Sequence, residues 1–241
     1  MSAPAAREGI PAREPVAELA KIGIAAFTTT RAHGDFAVAD DAPDSANVAR
    51  WGALQRSLRP APCGLVSAHQ VHGTGVAEHR KPWNGWIRLT GFDAHVVTAP
   101  VGSAAVTVAD CVPVFIGHPS GSVAIVHAGW RGTAARVLPA ALDRLASPGL
   151  SLGDVHLHLG PAICGRCYEV GPDVYEQLTG WQTIRSRNVD LRALLGEQAR
   201  DAGVGQVSAS PWCTRCDNER FYSHRAGDAG RQVAVIVAGA Q

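Results

Sequence analysis

Three side chains of metal-ligand type stand out by their settings: His72 in Gln70-Val71-His72-Gly73, Cys111 in Ala109-Asp110-Cys111-Val112-Pro113, and His127 in Val126-His127-Ala128-Gly129. Each falls where a strand-like run ends or is interrupted. A side chain at a strand end is held by the sheet yet open to its rim, where an ion or a nucleophile meets substrate. Two imidazoles and one thiolate suit zinc, and three protein ligands leave a fourth position open. The same donors also take Cu2+. An ion so placed activates water or polarises a substrate oxygen. Taken singly, a Cys is as readily a small buried hydrophobe and a His a satisfied polar group, and the spacing matches no short metal motif such as His-Glu-x-x-His. Cys111 beside an imidazole is also the pairing of an activated thiol, so a Cys-His hydrolase stays open.

Periodicity indicates the elements that must position these groups. Residues 65–77 read as strand, turn, strand, with Gly73 and Gly75 bending the chain beside His72. Runs at 22–30, 92–98 and 104–109 are strands, 112–116 continues the last of these past Asp110-Cys111, and 123–127, 155–159 and 232–238 follow. Gly129-Trp130-Arg131-Gly132 breaks the strand that ends at His127, and 133–145 reads as a helix capped by Thr133. Helical spacing also marks 46–58, with Asp44 or Ser45 as its cap, 174–178 and 191–202. Residues 2–15, rich in Ala, Pro, Arg and Glu, read as a frayed terminus, so a flexible segment over 1–20 is expected ahead of one domain over 21–241.

Composition narrows the function classes. With 46% hydrophobic and 18% charged residues in 241, the chain has enough apolar side chain for a sizeable core. Lys plus Arg number 22 against 21 Asp plus Glu, so no net field draws it to nucleic acid or an anionic membrane. No apolar run approaches the roughly 20 residues of a membrane span and residues 1–18 lack a secretory apolar stretch, which sets a cytoplasmic expectation. Six cysteines in a chain of this size favour metal or catalytic thiols over a disulfide framework. Two Cys-x-x-Cys pairs, Cys164/Cys167 and Cys213/Cys216, suggest a second, structural four-cysteine zinc site. Their separation, however, far exceeds the usual roughly 15–20 residues, and disulfides or free thiols remain alternatives. His156 and His158 share one strand face and read as exposed.

The segments Gln70-Val71-His72-Gly73, Thr107-Val108-Ala109-Asp110-Cys111-Val112-Pro113-Val114, His127-Ala128-Gly129-Trp130-Arg131-Gly132 and Leu159-Gly160-Pro161-Ala162-Ile163 occur in this order. With Tyr168-Glu169-Val170 and Cys213-Thr214 they resemble the laccase-domain (YfiH-like) family over about residues 27–237. The resemblance implies an α+β fold, a layered α-β-β-α sandwich with helices outside two packed mixed sheets. It implies zinc ligands at His72, Cys111 and His127. The implied activity is that of a purine nucleoside phosphorylase, a glycosyltransferase acting on adenosine, inosine, guanosine and methylthioadenosine with phosphate, with adenosine deamination beside it. The family is also known as copper-dependent polyphenol oxidases and is linked to peptidoglycan-precursor editing. A non-catalytic metal-binding protein is the further alternative, and a monomer or small homo-oligomer is expected.

Phosphorolysis needs an anion site, and Arg131 beside the N-terminus of the helix after Gly132 would supply one; a structural Arg paired with a carboxylate is its alternative. Asp110 reads as a ligand orienter, an acid or base, or a cap on local amides. Asp93 matches the family's Asp-Ala pair and reads either as a group behind the ligands or as a direct participant in catalysis. His224 and Arg225, in the late Phe221-Tyr222-Ser223-His224-Arg225 segment, are expected to reach base or phosphate. After Phe27-Thr28-Thr29-Thr30-Arg31 the family's Gly-Gly-Val-Ser and Asn-Leu-Gly stretches are missing. Arg31, heading this shortened loop, is a candidate substrate contact.

Overall fold

A strand that carries apolar side chains on both sides has to be covered on both faces. The strand β14 (Gln232–Val237) meets that condition by sending Val233, Val235 and Val237 into one core and Ala234 and Ile236 into another. In the computed structural model, which describes residues 11–38, 45–58, 64–98, 102–147 and 149–239, β14 lies inside a six-stranded mixed sheet. Its order is β1 (Arg13–Pro15), β2 (Ala26–Thr29), β14, β7 (Ser103–Val108), β3 (Leu65–His69) and β5 (Trp86–Thr90). A second six-stranded sheet runs β13 (Gln206–Ala209), β10 (His156–Leu159), β8 (Val112–Gly117), β9 (Val123–Ala128), β6 (Ala94–Val97) and β4 (Val76–His79). A small ribbon pairs β11 (Glu169–Val170) with β12 (Arg187–Asn188).

Ala104, Val106, Phe115, Ile125 and Ile236 fill the space between the two large sheets. Outside the first sheet lies α2 (Ser45–Ser57), whose Trp51 and Leu54 pack on Phe27, Leu65 and Val235. Outside the second lie α4 (Val137–Ala146) and α6 (Leu191–Asp201), which set Leu138, Leu142 and Leu195 against Val114, Ala124 and Val126. The layering is therefore α-β-β-α, as expected. Among the described residues three shorter α-helices accompany these: α1 (Ala17–Ala20), α3 (Trp130–Ala134) and α5 (Pro172–Thr179). Among the described residues no helix is long and apolar enough to cross a membrane.

Trp51 anchors the first outer layer. It is 1% exposed, stacks on Trp86 with ring centroids 4.9 Å apart and donates its Nε1 proton to the Phe36 carbonyl at 3.1 Å. Replacing so large a buried ring by Ala costs roughly 3–5 kcal/mol. The variant Trp51→Ala should accordingly unfold at clearly lower urea concentration than the parent, with Trp51→Phe in between; coincident unfolding curves would remove this cluster from the stability of the fold.

Three times the chain leaves the first sheet for the second on the same side: from β3 to β4 through residues 70–75, from β5 to β6 through 91–93, and from β7 to β8 through 109–111. The strand expected to continue past Asp110-Cys111 is thus two strands in different sheets. Two crossings bend at non-glycine residues with positive φ, His72 at 60° and Asp110 at 83°. Such backbone costs on the order of 1–3 kcal/mol and persists only where surrounding contacts hold it.

Several elements differ from the expectation. Arg13–Pro15 pair with β2 rather than fray, and α1 follows at once. The helix expected from Thr133 is two helices, because Arg136 turns left-handed at φ 63° between α3 and α4. The first of them starts at Trp130 with Gly129 as its extended N-cap, while the Thr133 hydroxyl lies inside it and donates to the Gly129 carbonyl at 2.8 Å. His156 and His158 are half-buried rather than exposed, and His158 shares a hydrogen bond with the Ser208 hydroxyl at 2.9 Å. The terminus up to residue 10, the Asp44 and Ser45 capping side chains and Cys63 lie outside the described residues.

Candidate metal centre

His72 and Cys111 sit in two of the crossings and His127 near the end of β9, so the sheets themselves bring the three together. The ligand atoms of His72, Cys111 and His127 all lie within 4.8 Å of one another, and the two imidazoles meet edge-on with centroids 4.7 Å apart. Gly129 leaves the room they need: a Cβ there would stand 2.9 Å from the Cys111 sulfur and 3.1 Å from His72 Cδ2.

Asp93, in the remaining crossing and fully buried, organises the set. Its Oδ1 accepts from the His72 amide and from His127 Nδ1, both at 2.9 Å. Its Oδ2 accepts from the Gly73 amide at 2.7 Å and the Val71 amide at 3.3 Å. One carboxylate therefore holds the left-handed turn at His72 and fixes the His127 ring so that Nε2 is the nitrogen left for an ion. Burial alone would raise the Asp93 carboxyl, but the His127 hydrogen bond and the Gly73 amide outweigh it and hold the group below its usual range.

Electrostatics prepare the sulfur. Burial pushes the Cys111 thiol up, yet the charge and hydrogen bonds of His127 and His72 bring it down to about 6. Burial likewise pushes His127 down, and Cys111 and Asp93 more than reverse this, raising it to about 9. The metal-free centre is a thiolate-imidazolium pair at neutral pH. An ion must displace the proton from His127 but finds Cys111 already ionised. The ultraviolet absorbance of the Cys111 thiolate should therefore already be present in metal-free protein at neutral pH. Absorbance that develops only above about pH 8, the range of an unperturbed thiol, would refute the ion-pair description.

The centre opens on a cavity of about 520 Å³ that runs along the ends of β3 and β7. Ligand, thiol and imidazole groups share its wall with His69, Arg88, His224 and Arg231. Of the residues expected to contact substrate, only His224 is in this lining. Arg131 is exposed on α3 with its guanidinium 4.5 Å over the Trp130 ring, away from the cavity wall, and the helix start expected beside it lies at Trp130 instead. Arg31 is committed elsewhere: Nε donates to the Asn218 and Phe221 carbonyls at 2.6 and 3.0 Å, and Nη2 pairs with Asp228. Arg225 donates through Nη1 to the Glu169 carbonyl at 2.9 Å and lies 5.0 Å over Tyr168.

Asp110 spends both oxygens on local ties, accepting from the Thr214 hydroxyl at 2.6 Å and from the Arg225 amide at 2.7 Å. The geometry matches the backbone-capping role weighed for it, since it holds the strained turn next to Cys111 and does not line the cavity. The cationic groups missed from sequence are Arg88 and Arg231. Arg88 lies on β5, a strand the periodicity did not mark. Arg231 immediately precedes β14, a strand-end position of the same kind that drew attention to His127.

A model of the family described as multi-copper polyphenol oxidoreductase laccase matches residues 26–239. The chain belongs to this family. Within the laccase-like family, a purine nucleoside phosphorylase of Streptomyces coelicolor is 37% identical over 212 residues, 83% of this chain and 85% of that protein. An adenosine deaminase from an unknown prokaryotic organism is 34% identical over 151 residues, 57% and 58% of the two chains. Among solved structures, the hypothetical protein YfiH of Bacillus licheniformis covers 98% of both chains with a TM-score of 0.80 at 23% identity, a shared fold. The membership inferred from the His-Ala-Gly-Trp-Arg-Gly and Ala-Asp-Cys-x-Pro segments therefore holds, and those laccase-like motifs are the ones that meet at the centre.

Proposed function

We propose that this chain is a zinc-dependent purine nucleoside phosphorylase whose centre is the His72, Cys111 and His127 triad. The observation that carries the reading is a two-imidazole, one-thiolate set opening on a cavity with guanidinium groups on its wall, in a chain similar over most of its length to a purine nucleoside phosphorylase. Donors of this kind fit zinc, with copper the alternative ion. Zinc held there supplies Lewis acidity towards a substrate oxygen.

The chain's own groups account for the rest. A cavity of about 520 Å³ lies in the size range of small-molecule sites, roughly 300–1,000 Å³, and accepts a nucleoside together with an anion. Arg88 and Arg231 are the charges facing it. Arg231 is held by Nη1 donating to the Ala229 and Gly230 carbonyls at 2.9 Å each. We assign phosphate to this side, replacing the sites expected at Arg131 and Arg31. A phosphate oxygen bonds to the ribose C1′ as the bond to the purine breaks, and the departing base takes a proton. His69 and His224 are the imidazoles on the wall, besides the ligands, that can hand it over.

Incubating adenosine with the zinc-loaded protein and phosphate should yield adenine and ribose 1-phosphate, resolved by chromatography, and no adenine without phosphate. Inosine as the sole product would favour deamination, the activity named for one relative. A second reading rests on the thiolate-imidazolium pair, which is also the apparatus of a Cys-His hydrolase. Metal-independent turnover of an amide substrate would favour it, and oxidation of a phenol by copper-loaded protein would favour the oxidase.

A further inference from the structure

Beyond the triad, a second group of ligand atoms meets on the far side of Asp110. The sulfurs of Cys164, Cys167, Cys213 and Cys216 all lie within 4.8 Å of one another, although the two pairs are 49 residues apart in the chain. Four thiolates at about 2.3 Å from a tetrahedral ion stand about 3.8 Å from each other, so the cluster is already close to that spacing. Cys167 and Cys216 sulfurs are 3.4 Å apart.

The two Cys-x-x-Cys turns are built against each other. Ala162 and Cys213 form a parallel bridge, and the Thr214 amide donates to the Ala162 carbonyl at 3.2 Å. Backbone amides already point at sulfur, Cys164 N at 3.3 Å and Cys216 N at 3.4 Å from the Cys213 Sγ, the outer contact that orients a metal-binding sulfur. Four thiolates around a divalent ion leave two negative charges. Each turn carries one arginine, Arg166 and Arg215, and Arg215 Nη1 donates to the Cys167 carbonyl at 3.2 Å, which keeps its charge beside the cluster. Cys213 is buried and Cys216 exposed, so the site is anchored at one end and reachable by an ion at the other.

We propose that Cys164, Cys167, Cys213 and Cys216 form a structural zinc site, separate from the triad, that clamps together the two turns supporting Asp110. The consequence for the centre follows from the residues next to the cysteines. The Ile163 amide, just before Cys164, donates to the Asp110 carbonyl at 3.1 Å. The Thr214 hydroxyl, just after Cys213, donates to the Asp110 carboxylate at 2.6 Å. Asp110 is the left-handed residue that sets Cys111, so an ion in the clamp stabilises the turn that presents the triad's sulfur. Four sulfur donors with no oxygen or nitrogen suit zinc in a closed, non-catalytic site.

The test uses full-length protein purified with zinc and no chelator, and reads metal per chain by mass spectrometry. Parent protein should carry about two zinc ions, and a variant with the triad broken, His72→Ala with Cys111→Ala, about one. X-ray absorption on that variant should show an all-sulfur shell, a readout independent of any activity and of the phosphorylase reading. The variant Cys167→Ser with Cys216→Ser should lose one ion and exchange its amide hydrogens faster over residues 162–168 and 210–217. Should it fail to fold, the triad-broken protein still decides. A triad-broken protein without zinc would overturn the proposal, as would native protein whose mass shows two disulfides, or iron in place of zinc at the all-sulfur site.

Discussion

The variant Asp93→Ala is expected to lose roughly 3–5 kcal/mol of stability, the cost of removing one side of a buried charged pair. It should also bind zinc at least about 10- to 100-fold more weakly. Both effects come from the same four hydrogen bonds. Without the carboxylate, the amides of Val71, His72 and Gly73 and the Nδ1 proton of His127 lose an acceptor that is itself fully buried. The left-handed turn at His72 then has nothing to offset its strain, and the His127 ring is free to rotate Nε2 away from the ion. Asp93→Asn should fall between, because it keeps one acceptor oxygen but turns an NH2 group on two donors.

The pH dependence of this contribution has a definite sign. Burial raises the Asp93 carboxyl, and the His127 and amide hydrogen bonds lower it by more, so the folded group titrates below the unfolded one. Its stabilisation is complete above the unfolded carboxylate range and is lost as pH falls through the folded value. Urea unfolding of parent and Asp93→Asn should therefore differ most at neutral pH and converge in acid. Equal stability of the two proteins at pH 7 would mean that Asp93 organises nothing.

Cys111→Ser should abolish zinc binding at the triad and with it nucleoside cleavage, an effect larger than that of losing Asp93. The exchange swaps a sulfur held at about 6 for a hydroxyl that stays protonated at neutral pH, so the site loses its one anionic ligand. His127 changes as well. Burial lowers it, and Cys111 is foremost among the groups that raise it to about 9, so the variant's imidazole should titrate well below the parent's. NMR titration of metal-free protein follows that shift. Competition with a chromophoric chelator follows the affinity. A Cys111→Ser protein that keeps both zinc and turnover would remove the sulfur from the account.

Local pattern carried the centre further than its surroundings. His72, Cys111 and His127 were legible because each sits at an element boundary inside a dense motif, and Asp93 because it forms part of one. Arg31 was not, since its partners Asn218 and Phe221 lie 187 and 190 residues away and nothing near residue 31 announces them. Asp110 is bound to Thr214 at a separation of 104 residues, so its choice between capping and catalysis lay outside any local window. Arg131 stands off the cavity wall for a different reason. The run 133–145 reads as one helix across Pro139, which instead sits in the first turn of α4 after the left-handed Arg136, and the helix beside Arg131 starts at Trp130. The layered fold was legible as strand and helix alternation. Its decisive feature, three crossings between the sheets on one side, depends on strand pairing that short apolar runs leave undetermined.

The claim on which the rest turns is that the triad's zinc is required for phosphorolysis in this cavity. Metal-free protein should release no adenine from adenosine and phosphate, and stepwise addition of zinc should restore release in proportion to the ion bound at His72, Cys111 and His127. Adenine formed at the same rate by metal-free protein, or by a variant without Cys111, would contradict it.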